Sequence, residues 1–371
     1  MELKSSQIDA FAQWSGDHNP LHVDSEYARR TFFGRPLAHG VLCVVEAMRN
    51  IAHGCKPPVG LEVEFRHGVF PGERLSVTEG DGEYRIRRGN ETVLTLRMTD
   101  GSSDLSSEWQ HLGTVDAPSS PIAPSSLRNG PREWDVTELA DGLIIHGDYP
   151  RRPVPVEYLQ ESCLSELQIQ FLGLCSYAVG MELPGKHSLF TGLRVRFQQT
   201  HSDASKISYR LRVKRFVSSL RLLEFNIEAA DPAGEPLAIA EVKSYVPFSP
   251  RPVDVDSIAA WLSEHRNAFE GKSVLICGGS RGLGADLVAG MALCGGRVFV
   301  ASRSESVELQ ELARDLEAHN AEFTMLHGDL FDPGQCRDML DRIHSGTGRL
   351  DYLILNACAP PPILGIGEAT M

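Results

Sequence analysis

The sequence predicts three parts: two α+β units built to one plan, each an antiparallel sheet wrapped on a helix, followed by an α/β doubly wound parallel sheet. Three observations carry this. The pattern Gly-Leu-x-Val-x-Phe occurs twice, as GLEVEF at residues 60–65 and GLRVRF at 192–197. Each copy follows an apolar, helix-like stretch and precedes alternating, strand-like runs. Beyond residue 270, short apolar runs alternate strictly with helical patterns, as a parallel sheet with helix-covered faces requires.

In chain order, IDAFAQW has helical spacing, with Ile8, Phe11 and Trp14 on one side, and ends at Ser15-Gly16. LAHGVLCVVEAMRNIA is the helix of the first unit; GLEVEF, RLSVTEG, YRIRR and TVLTLRMTD are its strands. VEYLQESCLSELQIQFLGLCSYAVG is the helix of the second unit; GLRVRF, KISYRLRVKRF, LLEFNIEAA and PLAIAEVKSYV are its strands. In the third part the strands are GKSVLICGG, RVFVAS, EFTMLHGD and DYLILNA, separated by three helical segments. Two Pro/Ser-rich stretches, 117–131 and 247–257, read as linkers. The expected domains are therefore 1–116, 132–248 and 258–371.

Composition narrows the function. Over 371 residues, the 42% hydrophobic and 23% charged content is that of a water-soluble globular chain, and no apolar run reaches a membrane span. The start, MELKSSQIDAF, lacks the shape of a signal peptide. The eight cysteines are scattered, with no Cys-x-x-Cys pair and no zinc spacing. Reduced thiols in the cytoplasm and no bound metal are expected. The net charge of -13 argues against a nucleic-acid partner and means that any phosphate site must be local.

The stretch SGDHNPLHVD, residues 15–24, packs Asp17, Asn19, Pro20 and His22 into a tight turn. A turn alone explains Gly-Asp-x-Asn-Pro; the added imidazole makes a carboxylate–imidazole pair five residues apart. Downstream, FGRPLAHGVL sets Pro36, His39 and Gly40 at the start of an apolar helix, where unpaired amides polarise a carbonyl oxygen.

SGDHNPLH followed by FGRPLAHG resembles the signature of the (R)-specific enoyl-thioester hydratases, the MaoC-like branch of the hot-dog fold. The resemblance covers most of residues 3–100. The second unit resembles the same fold through ELPGKHSLFTGLRVRF but lacks Gly-Asp-x-Asn-Pro-x-His. Together they imply a double hot dog in which one half is catalytic and the other shapes the acyl pocket. The family's chemistry then implies Asp17 and His22 as the acid/base dyad, the Gly40 N–H as oxyanion donor and Asn19 as a substrate-positioning or turn-orienting residue. The role of His39 stays open. Seven Lys/Arg against one Asp between Arg194 and Arg215 are either a solvated sheet face or a contact for coenzyme A phosphate or an acidic carrier protein.

CGGSRGLG, residues 277–284, lies between a strand and a helix. It resembles the cofactor loop of the short-chain dehydrogenases/reductases, with Cys277 where that family has Thr. The resemblance implies a Rossmann-like dinucleotide site of Gly278, Ser280, Arg281, Gly282, Leu283 and Gly284, with Asp329 and Leu330 at the adenine and Asn356 at the nicotinamide ribose. Arg303 follows the second strand, where a cation suits a 2′-phosphate and favours NADP(H). The family's Tyr-x-x-x-Lys is missing: Tyr352 is the sole tyrosine after Gly271, with no lysine four residues on. The Rossmann part is thus expected to be an incomplete front half that does not reduce ketones.

The leading expectation is dehydration of 3-hydroxyacyl thioesters, or hydration of trans-2-enoyl thioesters. The thioester is carried by coenzyme A or acyl carrier protein in fatty-acid or polyketide-type metabolism, and the hydratase itself needs no cofactor. A complete form carries a 3-oxoacyl reductase as well. A non-catalytic acyl-binding scaffold and a hot-dog thioesterase are the alternatives. The internal pseudo-dimer is compatible with a monomer or a homodimer.

Overall fold

The computed structural model describes residues 1–31, 33–51, 56–99, 127–160, 162–198, 202, 204–247, 253–303 and 306–357. Residues 117–126 of the first expected linker, 248–252 of the second, Cys55 and Cys358 lie outside them. The chain forms two compact units, divided at residues 248/249.

In the first unit the helices are α1 (Ser5–Ser15), α2 (Pro20–Val23), α3 (Ser25–Arg30), α4 (Gly40–Ile51), α5 (Val156–Leu159) and α6 (Glu166–Tyr177), the last continued by a π-helical turn at Ala178–Glu182. The strands are β1 (Gly60–Phe65), β2 (Ser76–Gly80), β3 (Glu83–Arg88), β4 (Glu91–Thr99), β5 (Ile144–Pro150), β6 (Leu189–Phe197), β7 (Lys206–Val217), β8 (Leu222–Ala230) and β9 (Pro236–Tyr245). They make one nine-stranded sheet in the order β2-β3-β4-β1-β6-β9-β8-β7-β5. The two repeated hexapeptides meet at its centre. β1 and β6 pair antiparallel, with Leu61 opposite Val195 and Val63 opposite Leu193. Each Leu-x-Val therefore faces the other's Val-x-Leu, and flanking strands repeat outward in the same order. This is the double hot dog: two α+β halves sharing one sheet.

Strict alternation in β8, every second residue buried, gives the sheet one apolar face. That face wraps α4 and α6, which pack against each other. Residues Val41–Met48 of α4 and 168–177 of α6 are buried in unbroken runs, the pattern of a helix enclosed on all sides. One core runs through both halves, from Leu3 to Val246.

Three details differ from expectation. The single long helix expected in the second α+β half is broken between Leu159 and Glu166, where Ser165 and Gln168 form a capping box that starts α6 afresh. β5 is an added edge strand, paired with β7. Part of the second linker is ordered as a helix, α7 (Val255–Trp261), opened by the Asp254 carboxylate capping the Ser257 N–H.

The second unit continues with β10 (Ser273–Cys277), α8 (Gly282–Leu293), β11 (Arg297–Ser302), α9 (Val307–Glu317), β12 (Phe323–His327), α10 (Pro333–Thr347) and β13 (Tyr352–Leu355). Its four strands are parallel, in the order β12-β11-β10-β13. Alternate residues of β10 feed two cores. Val274 and Ile276 meet α8 and α9 on one face; Leu275 and Cys277 meet α10 on the other. This is the Rossmann-like α/β part, with helices on both faces.

Candidate active site

The turn after α1 builds the site. Asn19 caps α2, its Oδ1 accepting from the Leu21 N–H at 3.0 Å, and Pro20 occupies the first helical position. One turn later this presents His22. The His22 Nδ1 lies 2.9 Å from the Leu37 carbonyl oxygen, so Nδ1 carries the proton and Nε2 is left as the acceptor. Leu21 anchors the turn against Ala28 and Leu37.

Asp17 is buried, and its groups are all engaged. Oδ2 accepts from the Ser176 hydroxyl at 2.6 Å and Oδ1 from the Asn19 N–H at 3.2 Å. Its backbone oxygen accepts from His39 Nε2 at 3.0 Å. Asp17, His22 and His39 offer one ligating atom each within 4.8 Å of one another. Among the described residues this is the one such cluster. His39 Nε2 and His22 Nδ1 are each bound to a backbone carbonyl, which leaves each ring one further nitrogen.

Burial pushes the Asp17 carboxyl above its ordinary value, against the pull of His22, Ser176 and the Asn19 amide. Burial pushes the His22 imidazole below its ordinary value, against the pull of Asp17 and the Leu37 carbonyl. The two proton affinities thus approach each other, which suits a pair that exchanges protons with a substrate near neutrality. Beside them α4 begins at Gly40. Among the described residues none accepts from the Gly40 N–H, and the first intrahelical bond runs from Cys43 N–H to the His39 oxygen. That free amide is placed as an oxyanion donor would be.

Of the two roles expected for Asn19, its contacts are those of the turn-orienting one. Its Nδ2 donates to the carbonyls of Gly180 at 2.9 Å and Gly185 at 3.0 Å. The amide ties the turn to the second half.

Sequence reasoning missed what the second half gives the site. Ser176 and Gly180 stand on α6 and its π-helical continuation, against Asp17. A Cβ added to Gly180 would lie 2.1 Å from Asp17 Oδ1, so only glycine lets the carboxylate lie there. Tyr149 on β5 donates to the Ser15 oxygen at 3.0 Å and steadies the end of α1.

Four cations of the basic run are paired with carboxylates. Arg194 pairs with Glu62 and Glu241, Lys206 with Asp148, Arg210 with Glu228, and Lys214 with Glu241. Arg194, Lys206 and Lys214 are exposed, where such pairs are weak, while Arg210 and Glu228 are largely covered.

In the second unit the sequence-predicted loop residues do come together. The Asn356 Nδ2 donates to the Gly278 oxygen at 2.9 Å and ties the end of β13 to the loop. A Cβ at Gly284 would fall 2.0 Å from that oxygen, so glycine there lets α8 start against the loop. No side chain caps α8, whose N-cap is Arg281; its first amides remain for an anion. Ser280 is half-buried, while Gly282, Leu283 and Arg303 are exposed. Asp329 Oδ1 accepts from the Phe331 N–H at 3.0 Å, a local turn that includes Leu330. These residues fit a dinucleotide.

The chain is similar to known proteins in two separate stretches. Residues 1–100 match the family model described as MaoC like domain, and residues 272–367 the one described as short chain dehydrogenase. The (R)-specific enoyl-CoA hydratase of Aeromonas caviae is 47% identical over 105 residues, 27% of this chain and 77% of that protein. The 11-beta-hydroxysteroid dehydrogenase 1A of Arabidopsis thaliana is 36% identical over 89 residues, 24% of this chain and 25% of that protein. A solved MaoC-like dehydratase is 14% identical, with a TM-score of 0.44, and covers 67% of this chain and 95% of that one. The chain spans only about a quarter of the length of the plant dehydrogenase it matches. The match to a dehydrogenase model leaves the expected absence of ketone reduction without support. Among the described residues no helix is long and apolar enough to cross a membrane.

Proposed function

The chain belongs to the MaoC-like (R)-specific enoyl-CoA hydratase family through its first hundred residues, and from that premise we propose that it is a hydro-lyase which interconverts trans-2-enoyl and 3-hydroxyacyl thioesters of fatty-acid-type metabolism. The observation that carries the reading is the meeting of Asp17 and His22 beside the free Gly40 amide. The substrate carbonyl accepts from the Gly40 N–H, which stabilises the enolate-like charge as the water oxygen bonds to Cβ. One member of the dyad takes the water proton and the other delivers a proton to Cα. The pair's proton count is unchanged, and dehydration is the same path reversed.

The test is loss of enoyl absorbance from crotonyl-coenzyme A and from a longer enoyl thioester on carrier protein. Turnover without free-thiol release is expected. Thiol release would make the chain a thioesterase, and binding of both substrates without turnover would make it an acyl-binding scaffold.

For the second unit we propose an NADP(H) site. The amides at the start of α8 would hold the pyrophosphate, Asp329 the adenine, Asn356 the nicotinamide ribose, and Arg303 the 2′-phosphate. Bound there, the dinucleotide supplies a hydride; this chain's residues bind and orient it. Arg303→Asp is expected to weaken NADPH binding by about 10–100-fold, the effect of losing one charged hydrogen bond, and to leave NADH unchanged in a fluorescence titration. Equal losses for both would remove the 2′-phosphate role.

A further inference from the structure

The dyad has one neighbour whose chemistry the proposed reaction does not use. His39 is fully buried. Its Nε2–H is committed to the Asp17 backbone oxygen at 3.0 Å, and its Nδ1 has no hydrogen-bond partner among the described residues. The ring lies tilted over His22, with centroids 3.9 Å apart and planes at 31°. Phe11 lies 4.9 Å from its centroid. Its carbonyl accepts the Cys43 N–H at 3.1 Å, which fixes the peptide that leads into Gly40. His39 therefore touches Asp17, His22 and the start of α4 at once.

We propose that His39 is a positioning residue: its neutral ring fixes the plane of the His22 imidazole and its backbone holds the dyad in register with the Gly40 amide. The inference rests on the hydratase reading above. The physical need is plain. Beyond its Cβ–Cγ bond, the His22 ring is held by one hydrogen bond, from Nδ1 to the Leu37 carbonyl, and a ring so held can still rock. A flat wall at van der Waals distance stops the rocking and keeps Nε2 aimed. Errors of about 1 Å in such placement cost about 10²-fold in rate.

His39 serves only as a neutral ring. Burial, then the neighbouring His22, hold its basicity well below the ordinary histidine value, and His18 acts in the same sense. Besides each other, the titratable groups acting on the two rings are Asp17 and His18 on the turn. His22 is thus the imidazole that exchanges protons, and its burial behind His39 sets the acid limb of the rate profile.

Three variants separate the ring from the hydrogen bond. His39→Phe keeps a flat wall without the donor. His39→Gln keeps a donor without the wall. His39→Ala removes both. In crotonyl-coenzyme A hydration, kcat is expected to fall about 10-fold for Gln and about 10²-fold for Ala, with KM within about 2-fold; Phe recovers most of the loss. The His22 titration, followed by NMR of labelled histidine in the same full chains, is expected to match wild type in Phe. In Ala it moves up toward the ordinary value of 6.5 as water reaches the ring.

Equal kcat losses in Phe and Ala, or a His22 midpoint unmoved in folded Ala, would overturn the positioning role. If wild type itself shows no turnover, the hydratase reading fails, while the NMR midpoints still decide whether His39 holds His22.

Discussion

Asp17→Asn is expected to abolish hydration while making the protein more stable. The activity loss follows from its place in the dyad. A positioned acid/base group contributes about 10²–10⁴-fold, and asparagine can neither take nor give the proton. The stability gain follows from the direction of the Asp17 shift. Burial raises its carboxyl above the ordinary value of 3.8, so the folded chain holds the proton more tightly than the unfolded chain. For a raised group the stabilising contribution is complete below 3.8 and is lost as pH rises through the folded value. Once pH is above that folded value the wild type carries a buried carboxylate that costs stability, and asparagine, nearly isosteric and uncharged, removes that cost. Each 1 kcal/mol recovered raises Tm by about 2–4 °C in a domain of this size. The gap in Tm between Asp17→Asn and wild type should close as pH falls toward 4, when the wild-type carboxyl becomes neutral too. Thermal unfolding at three pH values, beside the hydration assay, checks both halves. A variant less stable than wild type at pH 7.5, with Ser176 still in place, would show that the hydrogen bonds to the carboxylate outweigh its desolvation.

The histidines act in the opposite sense. Both His22 and His39 are depressed by burial below 6.5, so they contribute stability above 6.5 that is lost as pH falls through their folded values. The site thus loses stability as pH rises through the Asp17 value and as pH falls through the histidine values, as expected where function sets the burial of polar groups.

How much of this was legible in the chain depended on range. The Asp17–His22 turn is local: a cap, a proline and a histidine within six residues, readable as written. The central β1–β6 pairing was legible because the hexapeptide repeats. The break before α6 also left a local sign, Ser165 and Gln168 at capping-box spacing, inside a stretch whose apolar content hid it. β5 was obscured by Gly147 and Asp148, which weaken a strand pattern. The partners of Asp17 lie 159 and 163 positions away (Ser176 and Gly180), and no periodicity links residues at that distance. One sign existed. Gly173, Ser176 and Gly180 are small residues at helical spacing, three and four apart, and form one stripe on an otherwise bulky helix. Trp14 and Tyr149 lie against Gly173, and Asp17 against the other two. A stripe of that kind marks where another element must come close; it does not say which one.

Gly180→Ala tests whether that stripe belongs to the active site or only to packing. The added methyl would sit 2.1 Å from Asp17 Oδ1, 2.6 Å from Cγ and 2.8 Å from Oδ2. Three contacts far below van der Waals distance cannot be relieved by a rotamer change at Gly180, so either the π-helical turn or the carboxylate must move. Overpacking of this kind costs about 1–3 kcal/mol, which a unit with one core across both halves can absorb. The Asn19 amide anchors the turn to the Gly180 and Gly185 carbonyls on the same segment, so the carboxylate is the softer party. Its displacement breaks the 2.6 Å bond from Ser176 and takes Asp17 out of line with His22. The expected result is a fall in kcat of about 10²-fold with KM little changed and the far-UV spectrum intact. Ser176→Ala, which frees the same oxygen without pushing it, should fall less. A Gly180→Ala protein with lowered Tm and unchanged kcat would reduce the second half to a scaffold. A selective loss of kcat makes the catalytic centre a joint product of the two halves, although only the first carries the motif.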